Sequence, residues 1–293
     1  MQLRGIIPPV VTPMKSNEDV DVPRLRGLID HLISKGVHGI FVLGTTGEFY
    51  ALDMREKQEV IATAVAHLNK RVPMIAGTGA ETTREAIVTT KMAEKEGADA
   101  VSVITPYYIS PTQAEMMDHY RRIAESTSLP VLLYNNPATC GGVKLEVESV
   151  ARLAEIPNIV GIKDSSGDLQ TLIEMIRVTP KGKFAVFQGR DTLIAPALQY
   201  GANGAVPGTA NIAPNLCVAI YDAVQRGDFA SAQAIQARLS PLRIGLAIGT
   251  APGAIKAAMN LLGLNVGPSR SPIAPLSAEK QEKLRVNLKQ VCG

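Results

Sequence analysis

The most chemically suggestive residue in the sequence is a lysine that ends an apolar segment. Lys163 follows Gly161 and Ile162 and precedes Asp164. Apolar surroundings favour the neutral amine of a lysine, and that amine condenses with carbonyl compounds to give a Schiff base. The alternative is a lysine that extends to solvent or pairs with Asp164 or Asp168. We favour the catalytic interpretation, because the residue stands at the end of a predicted strand.

Polar residues also follow three other apolar segments. Gly44-Thr45-Thr46-Gly47-Glu48 offers hydroxyls and glycine N–H groups to a small carboxylate or phosphate, or forms a tight turn with a helix cap. Tyr134 is suited to proton transfer if its hydroxyl meets a partner, and is otherwise a structural tyrosine. Tyr107 and Tyr108, taken alone, are typical of an interface.

These residues need a framework that gathers strand ends. Short apolar segments alternate with amphipathic helices, and eight strands are predicted at residues 5–13, 39–43, 73–76, 100–104, 131–134, 159–163, 184–187 and 204–206. Eight βα units predict an α/β fold, the (β/α)8 TIM barrel, with its active site at the C-terminal ends of the strands. The alternative is a doubly wound sheet, but Pro8, Pro9 and Pro13 stand where its G-x-G-x-x-G turn belongs.

The pattern after residue 212 is purely helical. Helices are predicted at residues 214–225, 229–244, 254–262 and 278–291. We therefore divide the chain into residues 1–212, the barrel strands and their helices, and residues 213–293, the last barrel helix and a C-terminal helical extension docked on the barrel. The Pro- and Ser-rich stretch 267–275 is predicted to join the extension to the barrel.

Composition excludes several classes of function. The 293 residues carry a net charge of +3, only 4% aromatics and no tryptophan, which argues against a nucleic-acid partner. Three cysteines and four histidines show no metal-ligand spacing, so no metal site is expected. No apolar run approaches the roughly 20 residues that span a bilayer, and the N-terminus lacks a signal-peptide core. We expect a cytoplasmic protein with no membrane partner.

The motifs together resemble a known family. Gly44-Thr45-Thr46-Gly47-Glu48, Tyr134-Asn135-x-Pro137 and Gly161-Ile162-Lys163-Asp164, in this order and spacing, are similar to the dihydrodipicolinate synthase / N-acetylneuraminate lyase family. The resemblance covers essentially the whole chain. It implies a class I aldolase or lyase that needs no cofactor, because the substrate is bound covalently through Lys163. It also implies a small 2-keto acid substrate with a pyruvate moiety, and a homotetramer built as a dimer of dimers.

The resemblance assigns roles to individual residues. Lys163 forms the Schiff base, Tyr134 transfers protons, and Thr45 links Tyr134 to Tyr108, which reaches in from a neighbouring subunit. The remaining substrate-binding residues that it implies are Thr46 and Gly47 in the loop that holds the pyruvate carboxylate, Thr139, and, through backbone groups, Gly189 and Val206.

One departure from the family pattern shapes the expected substrate. Synthases carry an arginine two positions after the proline of the Tyr-Asn-x-Pro motif, where this chain has Thr139. A threonine replaces a bidentate charged contact by one neutral hydrogen bond, a loss of about 1–3 kcal/mol. Arg190, after strand seven, either supplies the missing charge to the distal end of a substrate or forms a surface salt bridge.

We therefore expect cleavage or dehydration of a 2-keto-3-deoxy sugar acid or 4-hydroxy-2-oxoglutarate. The alternative is 4-hydroxy-tetrahydrodipicolinate synthase, which joins pyruvate and aspartate semialdehyde. A catalytically silent keto-acid-binding barrel is a further alternative of another class.

Overall fold

The computed structural model describes residues 3–292 of the chain. Strands and helices alternate through the first 225 residues, and helices alone follow. The strands are β1 (Gly5–Ile6), β2 (Ile40–Val42), β3 (Met74–Gly77), β4 (Ala100–Ile104), β5 (Val131–Asn135), β6 (Ile159–Asp164), β7 (Ala185–Gln188) and β8 (Gly204–Ala205). The helices are α1 (Val22–Ser34), α2 (Met54–Leu68), α3 (Thr83–Lys95), α4 (Gln113–Glu125), α5 (Val147–Leu153), α6 (Leu169–Val178), α7 (Ile194–Gln199), α8 (Pro214–Gln225), α9 (Phe229–Gly245), α10 (Gly253–Leu261) and α11 (Ala278–Cys292).

The eight strands form one parallel sheet in which sequence neighbours are also spatial neighbours. Their order is β1-β8-β7-β6-β5-β4-β3-β2. The Phe41 N–H donates to Pro8 O at 3.0 Å, and the Val10 N–H donates to Phe41 O at 2.8 Å, so the segment after β1 meets β2. The sheet therefore curls on itself as in a TIM barrel, and the doubly wound alternative is wrong. Regular strand β1 is shorter than predicted, because Pro8, Pro9 and Pro13 have no N–H to donate.

The sheet has two apolar faces, as expected for parallel strands that are covered on both sides. Inside the barrel, a small cluster includes Phe41, Ile75, Leu132 and Phe187, each at most 2% exposed. The larger core lies between the sheet and the surrounding helices. Because all eight strands run in the same direction, their C-terminal residues come together at one rim of the barrel.

The helix boundaries follow the sequence signals closely. Asp53 and Glu56 form a reciprocal capping box at the start of α2, and Thr112 and Glu115 do so for α4. Gly36 follows α1 with a φ of +81°, the left-handed conformation expected of a glycine that ends a helix.

Helices α9, α10 and α11 pack together beside the barrel. Leu284, Leu288 and Val291 of α11 are buried, and the Arg238 guanidinium of α9 donates to Val291 O at 3.1 Å. The stretch 267–275 was predicted to connect the barrel to these helices. Instead, it lies between α10 and α11. Arg270 anchors it to the barrel by donating to Ala51 O at 2.7 Å and to the Glu56 carboxylate.

In the part of the chain that the structure describes, no helix combines the length and the apolar character that crossing a membrane requires.

Candidate active site

A cavity of about 280 Å³ opens at the C-terminal ends of the strands. Its walls come from the loops after β1, β2, β5, β6, β7 and β8, from α9 and α10, and from the segment between these two helices. The residues from the barrel include Thr45, Thr46, Tyr134, Asn136, Thr139, Lys163, Ser165, Gly189, Arg190, Asp191 and Val206, and those from the C-terminal helices include Arg243, Ala251 and Ile255. Most of the residues predicted for the site are therefore gathered in one place.

Lys163 lies deep in this cavity, and its side chain is only 5% exposed. The register of the sheet pairs it with Tyr134 on β5. Its Nζ lies 4.0 Å from the centroid of the Tyr134 ring and 5.2 Å from that of Phe41. Within residues 3–292, no carboxylate forms a salt bridge with Lys163. The amine therefore faces aromatic surfaces and the open cavity.

The two aspartates that could have paired with Lys163 have other partners. Asp164 accepts hydrogen bonds from Asn135 Nδ2 and Ser166 Oγ, both at 2.6 Å, and burial raises the pKa of its carboxyl. Asp168 caps α6 by accepting from the N–H and the hydroxyl of Thr171. The structural alternative considered for Lys163, pairing with one of these residues, is wrong. Asn135 and Asp164 instead tie the ends of β5 and β6 together behind the lysine.

The Tyr134 hydroxyl has the partners that proton transfer requires. It lies 3.2 Å from Thr45 Oγ1 and accepts a hydrogen bond from Asn136 Nδ2 at 3.1 Å. Burial by itself raises the pKa of this phenol, but the positive charge of Lys163 and the hydrogen bonds with Thr45 and Asn136 outweigh it, so the pKa is lowered. The expected link between Thr45 and Tyr134 is present. Asn136 was missed, since it is the variable position of its motif.

The loop after β2 places two hydroxyls on the cavity and is fixed from behind. Thr45 and Thr46 line the cavity, whereas Gly47 does not. The Gly47 N–H donates to Gly44 O at 2.9 Å, and its carbonyl accepts from the Thr12 hydroxyl at 2.6 Å, so both backbone groups are engaged within the protein. Gly47 therefore supports the loop, and the structure does not place it where a ligand would bind.

Glu48 holds the same loop against the C-terminal helices. It has a left-handed φ of +58°, and its carboxylate is 2.6 Å from the Lys256 Nζ on α10 in a fully buried ion pair. The same carboxylate accepts from the Arg270 N–H at 2.9 Å. The position of Thr45 thus depends on residues more than two hundred positions away in the sequence.

Gly189 and Val206 line the cavity, as the family resemblance implied. Their N–H groups are not available to a ligand, because the Gly189 N–H donates to Asp164 O at 2.6 Å and the Val206 N–H donates to Gln188 O at 2.8 Å. Gly189 is also tightly packed, since a side chain there would collide with the Ser165 hydroxyl. Any polar contact from these two residues must come from their carbonyl oxygens.

Comparison with known proteins identifies the family. A sequence model of the dihydrodipicolinate synthetase family matches residues 2–291. The chain belongs to this family. Its members are lyase-type class I aldolases in which a lysine forms a covalent Schiff base with pyruvate and no separate cofactor takes part. The resemblance found in the sequence is therefore confirmed, and with it the assignment of the chain to an enzyme class.

Relatives match along almost the full length. The 4-hydroxy-tetrahydrodipicolinate synthase of Methanothrix thermoacetophila is 40% identical over 282 residues, which cover 96% of this chain and 95% of the relative. That of Herminiimonas arsenicoxydans is 40% identical over 288 residues and 98% of each chain. The crystal structure of the chloride-inhibited dihydrodipicolinate synthase from Acinetobacter baumannii, complexed with pyruvate, aligns with a TM-score of 0.96, 40% identity and 99% of both chains.

Two further residues bear on the site: Tyr108, which the family resemblance assigns to the site of a neighbouring subunit, and Arg243, which was not predicted. Tyr108 lies outside the cavity, with a φ of +76° and a side chain that is 92% exposed, so it cannot reach Thr45 within its own chain. Arg243 lines the cavity from the last turn of α9. Sequence analysis missed it, since no motif surrounds it and its helix follows the barrel.

Proposed function

We propose that this chain catalyses carbon–carbon bond formation or cleavage on a Schiff base between Lys163 and pyruvate. The observation that carries the proposal is the buried Lys163 amine, which has no carboxylate partner within residues 3–292 and lies against Tyr134. A lysine ammonium at such a site is costly unless a ligand or a reaction uses it. Thr45 and Thr46 supply hydroxyl donors for the pyruvate carboxylate.

The geometry suits the proton transfers of this chemistry. Lys163 Nζ attacks the keto carbon, water leaves, and the iminium that forms withdraws electrons from the neighbouring carbon. Tyr134, as the phenolate, accepts a proton from that carbon to give an enamine, which attacks the carbonyl carbon of an aldehyde. The Tyr134 hydroxyl then returns this proton to the aldehyde oxygen, and the hydrogen bond with Thr45 stabilises the phenolate that is regenerated. Hydrolysis of the imine releases the product and restores the amine.

The reaction that we place first is that of 4-hydroxy-tetrahydrodipicolinate synthase, in which pyruvate meets aspartate semialdehyde. It is supported by the relatives described above, which carry this name at 40% identity over nearly the whole chain. This order reverses the one expected from the sequence. The two curated relatives give no support to the sugar-acid or hydroxy-oxoglutarate substrates that were placed first there.

A second candidate, cleavage or dehydration of a 2-keto-3-deoxy sugar acid or of 4-hydroxy-2-oxoglutarate, is favoured by one observation. Thr139, which lines the cavity, stands where the family resemblance expects an arginine, and its hydroxyl donates to Asn136 O at 3.4 Å. We propose that Arg190 supplies positive charge in its place. Its side chain lies over Gly167 at the cavity wall and forms no salt bridge within residues 3–292, which supports this role over that of a surface ion pair.

Trapping with borohydride tests the common chemistry. Incubation with pyruvate and sodium borohydride should give a stable adduct on Lys163, detected by mass spectrometry of the peptide. A Lys163→Ala variant should give none, whereas Lys144→Ala, which removes an exposed lysine outside the cavity, should be trapped like the parent protein. Absence of the adduct in the parent protein would refute the proposal.

A substrate panel separates the two candidates. The panel compares aspartate semialdehyde, 2-keto-3-deoxygluconate, 4-hydroxy-2-oxoglutarate and sialic acid. Preference for aspartate semialdehyde supports the synthase, and preference for a keto-deoxy acid supports the second candidate. A trapped adduct with no turnover on any of them would favour the silent keto-acid-binding barrel. An unchanged KM for the preferred substrate in Arg190→Ala would remove Arg190 from the site.

We also propose that the active form is a homotetramer of two tight dimers, in which Tyr108 enters the site of its neighbour. The exposure of Tyr108 and Ile109, at 92% and 74%, supports a covering subunit. Sedimentation at several concentrations tests the assembly, and Tyr108→Phe should lower kcat. The cytoplasmic location and the division at residue 212 stay predictions.

A further inference from the structure

Two arginine side chains face the cavity without a hydrogen-bond partner. Arg190 follows β7, and Arg243 ends α9. Through the described range of residues 3–292, neither guanidinium donates a hydrogen bond to the protein, and the Arg190 Nε is buried without a partner. Guanidinium groups are strong, directional donors, so two of them without acceptors on one cavity wall indicate a place for an anion.

Asp191 orients Arg243 but leaves most of the hydrogen-bond donors of its guanidinium free. One oxygen of Asp191 accepts from both the N–H and the hydroxyl of Thr209, each at 2.6 Å. Its other oxygen lies 3.4 Å from the Arg243 Nε. Because this contact is long and uses only Nε, the two Nη groups of Arg243 remain available. The Arg243 side chain is 35% exposed, so a ligand can reach it.

The charges around the cavity leave room for a second anion. The lining contains three basic residues, Lys163, Arg190 and Arg243, and one carboxylate, that of Asp191. In the protonated imine, which precedes the enamine and to which the partner substrate binds, the Lys163 nitrogen is cationic, so the lining then has a formal excess of two positive charges. Pyruvate brings one carboxylate, which the proposed function assigns to Thr45 and Thr46. One positive charge is left without a counterpart.

We propose that Arg243, together with Arg190, binds a carboxylate of the carbonyl compound that reacts with the pyruvate enamine. The partner substrate is then an anionic aldehyde or keto acid, and Arg243 is a specificity-determining residue contributed by the C-terminal helices. The anchor for the partner thus lies on α9 and the β7 loop instead of at position 139. This inference rests on the proposed function, because it assigns the second half of the same cavity.

Matched aldehydes test the inference through activity. Glyoxylate and glycolaldehyde have the same carbon skeleton and differ in carrying a carboxylate or a neutral hydroxymethyl group. Replacing Arg243→Met should lower kcat/KM for glyoxylate by about tenfold or more, mainly through KM, since a charged hydrogen bond is lost. It should change kcat/KM for glycolaldehyde less than threefold. Arg226→Met, which removes an exposed arginine at the end of α8, should alter neither.

Binding to the trapped enzyme gives a second readout that does not need turnover. Reduction with pyruvate and borohydride fills the pyruvate end, and calorimetry then measures the affinity of this adduct for succinate and for neutral succinamide. The Arg243→Met adduct should bind succinate at least tenfold more weakly than the parent adduct, with no change for succinamide. Equal losses for both aldehydes, no loss for glyoxylate, or no succinate binding to the parent adduct would each overturn the inference.

The two proposals fail in distinguishable ways. If the parent protein gives no pyruvate adduct, the Schiff-base function fails. Comparing the succinate affinity of the unmodified protein with that of Arg243→Met then tests separately whether Arg243 binds an anion. If the adduct forms normally in both proteins but Arg243→Met does not discriminate between anionic and neutral partners, only the assignment of Arg243 fails.

Discussion

The two ends of the cavity are built differently. At the pyruvate end, Tyr134 and Lys163 come from the ends of β5 and β6 and Thr45 from the loop after β2, and the Thr45 and Tyr134 hydroxyls are joined by a hydrogen bond. At the partner end, Arg190 and Arg243 come from a loop and from a helix outside the barrel strands, and no hydrogen bond to residues 3–292 fixes either guanidinium. In the first set Tyr134 and Lys163 are buried and Thr45 supports the Tyr134 hydroxyl, while in the second set Arg243 is partly exposed and both guanidinium groups are free to bind a ligand.

This difference corresponds to a division of labour. Schiff-base chemistry requires one geometry whatever the second substrate is, so its lysine and tyrosine stand on rigid strand ends. The second substrate varies within the family, and loops and appended helices can change without disturbing the strands. Changes at the pyruvate end should therefore affect kcat with every partner, whereas changes at the partner end should affect the KM of anionic partners.

The largest effect is expected at the pyruvate end. Tyr134→Phe removes the hydroxyl that Thr45 and Asn136 contact, and should lower kcat by roughly 10²–10⁴-fold, the usual contribution of a positioned acid or base. The loss should be similar for anionic and neutral aldehydes. Tyr120→Phe is the matched control, since it removes a buried hydroxyl that donates to Val103 O outside the cavity, and should leave kcat within about threefold. A loss of kcat confined to anionic aldehydes would contradict the proposed difference between the two ends of the cavity.

The next largest effect is expected at the buried ion pair between Glu48 and Lys256, which joins the Thr45 loop to the C-terminal helices. Lys256→Met leaves the Glu48 carboxylate buried without its cation, and should lower the free energy of unfolding by about 3–5 kcal/mol. Urea unfolding measures the change. The double variant Glu48→Gln/Lys256→Met should recover part of the loss, because no uncompensated charge remains. A cost below about 1 kcal/mol for Lys256→Met would show that this pair does not hold the Thr45 loop.

The same comparison explains what could be predicted from the sequence. Apolar runs mark the strands in the sequence, and the barrel fold places the C-terminal ends of these strands at its rim. Lys163, Tyr134 and Thr45 could therefore be placed from apolar runs and family motifs. The boundaries of the four helices after residue 212 were predicted to within one residue, as for α8 at Pro214–Gln225, because proline, capping residues and glycine mark them locally.

What the sequence could not predict depends on contacts between distant segments. Arg243 reaches the cavity only because α9 packs beside the β7 loop, and nothing near it in sequence indicates this. Gly47 was predicted to bind substrate, but its backbone groups bond to Gly44 and Thr12. The stretch 267–275 was predicted as a connection because of its prolines and serines, yet Arg270 fixes it to the barrel through Glu56. Local composition does not predict which residues, distant in the sequence, a segment will contact.

A smaller effect concerns the electrostatics of the pyruvate end. The pKa of Tyr134 is lowered because the cation of Lys163 and hydrogen bonds outweigh burial. Lys163→Met removes the cation and leaves the burial, so the neutral phenol is favoured and the pKa of Tyr134 should rise. Phenolate absorbance reports it as the difference between each protein and its Tyr134→Phe counterpart. An unchanged ionisation midpoint would show that the Lys163 charge does not act on Tyr134.

The smallest effect is expected for an ion pair that belongs to neither end. Lys283 and Glu279 pair at 2.7 Å on α11, but their side chains are 64% and 76% exposed. Solvent weakens such a pair, so Lys283→Met should lower the free energy of unfolding by at most about 0.5 kcal/mol, and added salt should remove the difference. Lys256→Met makes the same chemical change at a pair that is 1% and 0% exposed. Equal costs for the two variants, measured in the same urea titration, would mean that water reaches Glu48 and that the C-terminal helices do not fix the catalytic loop.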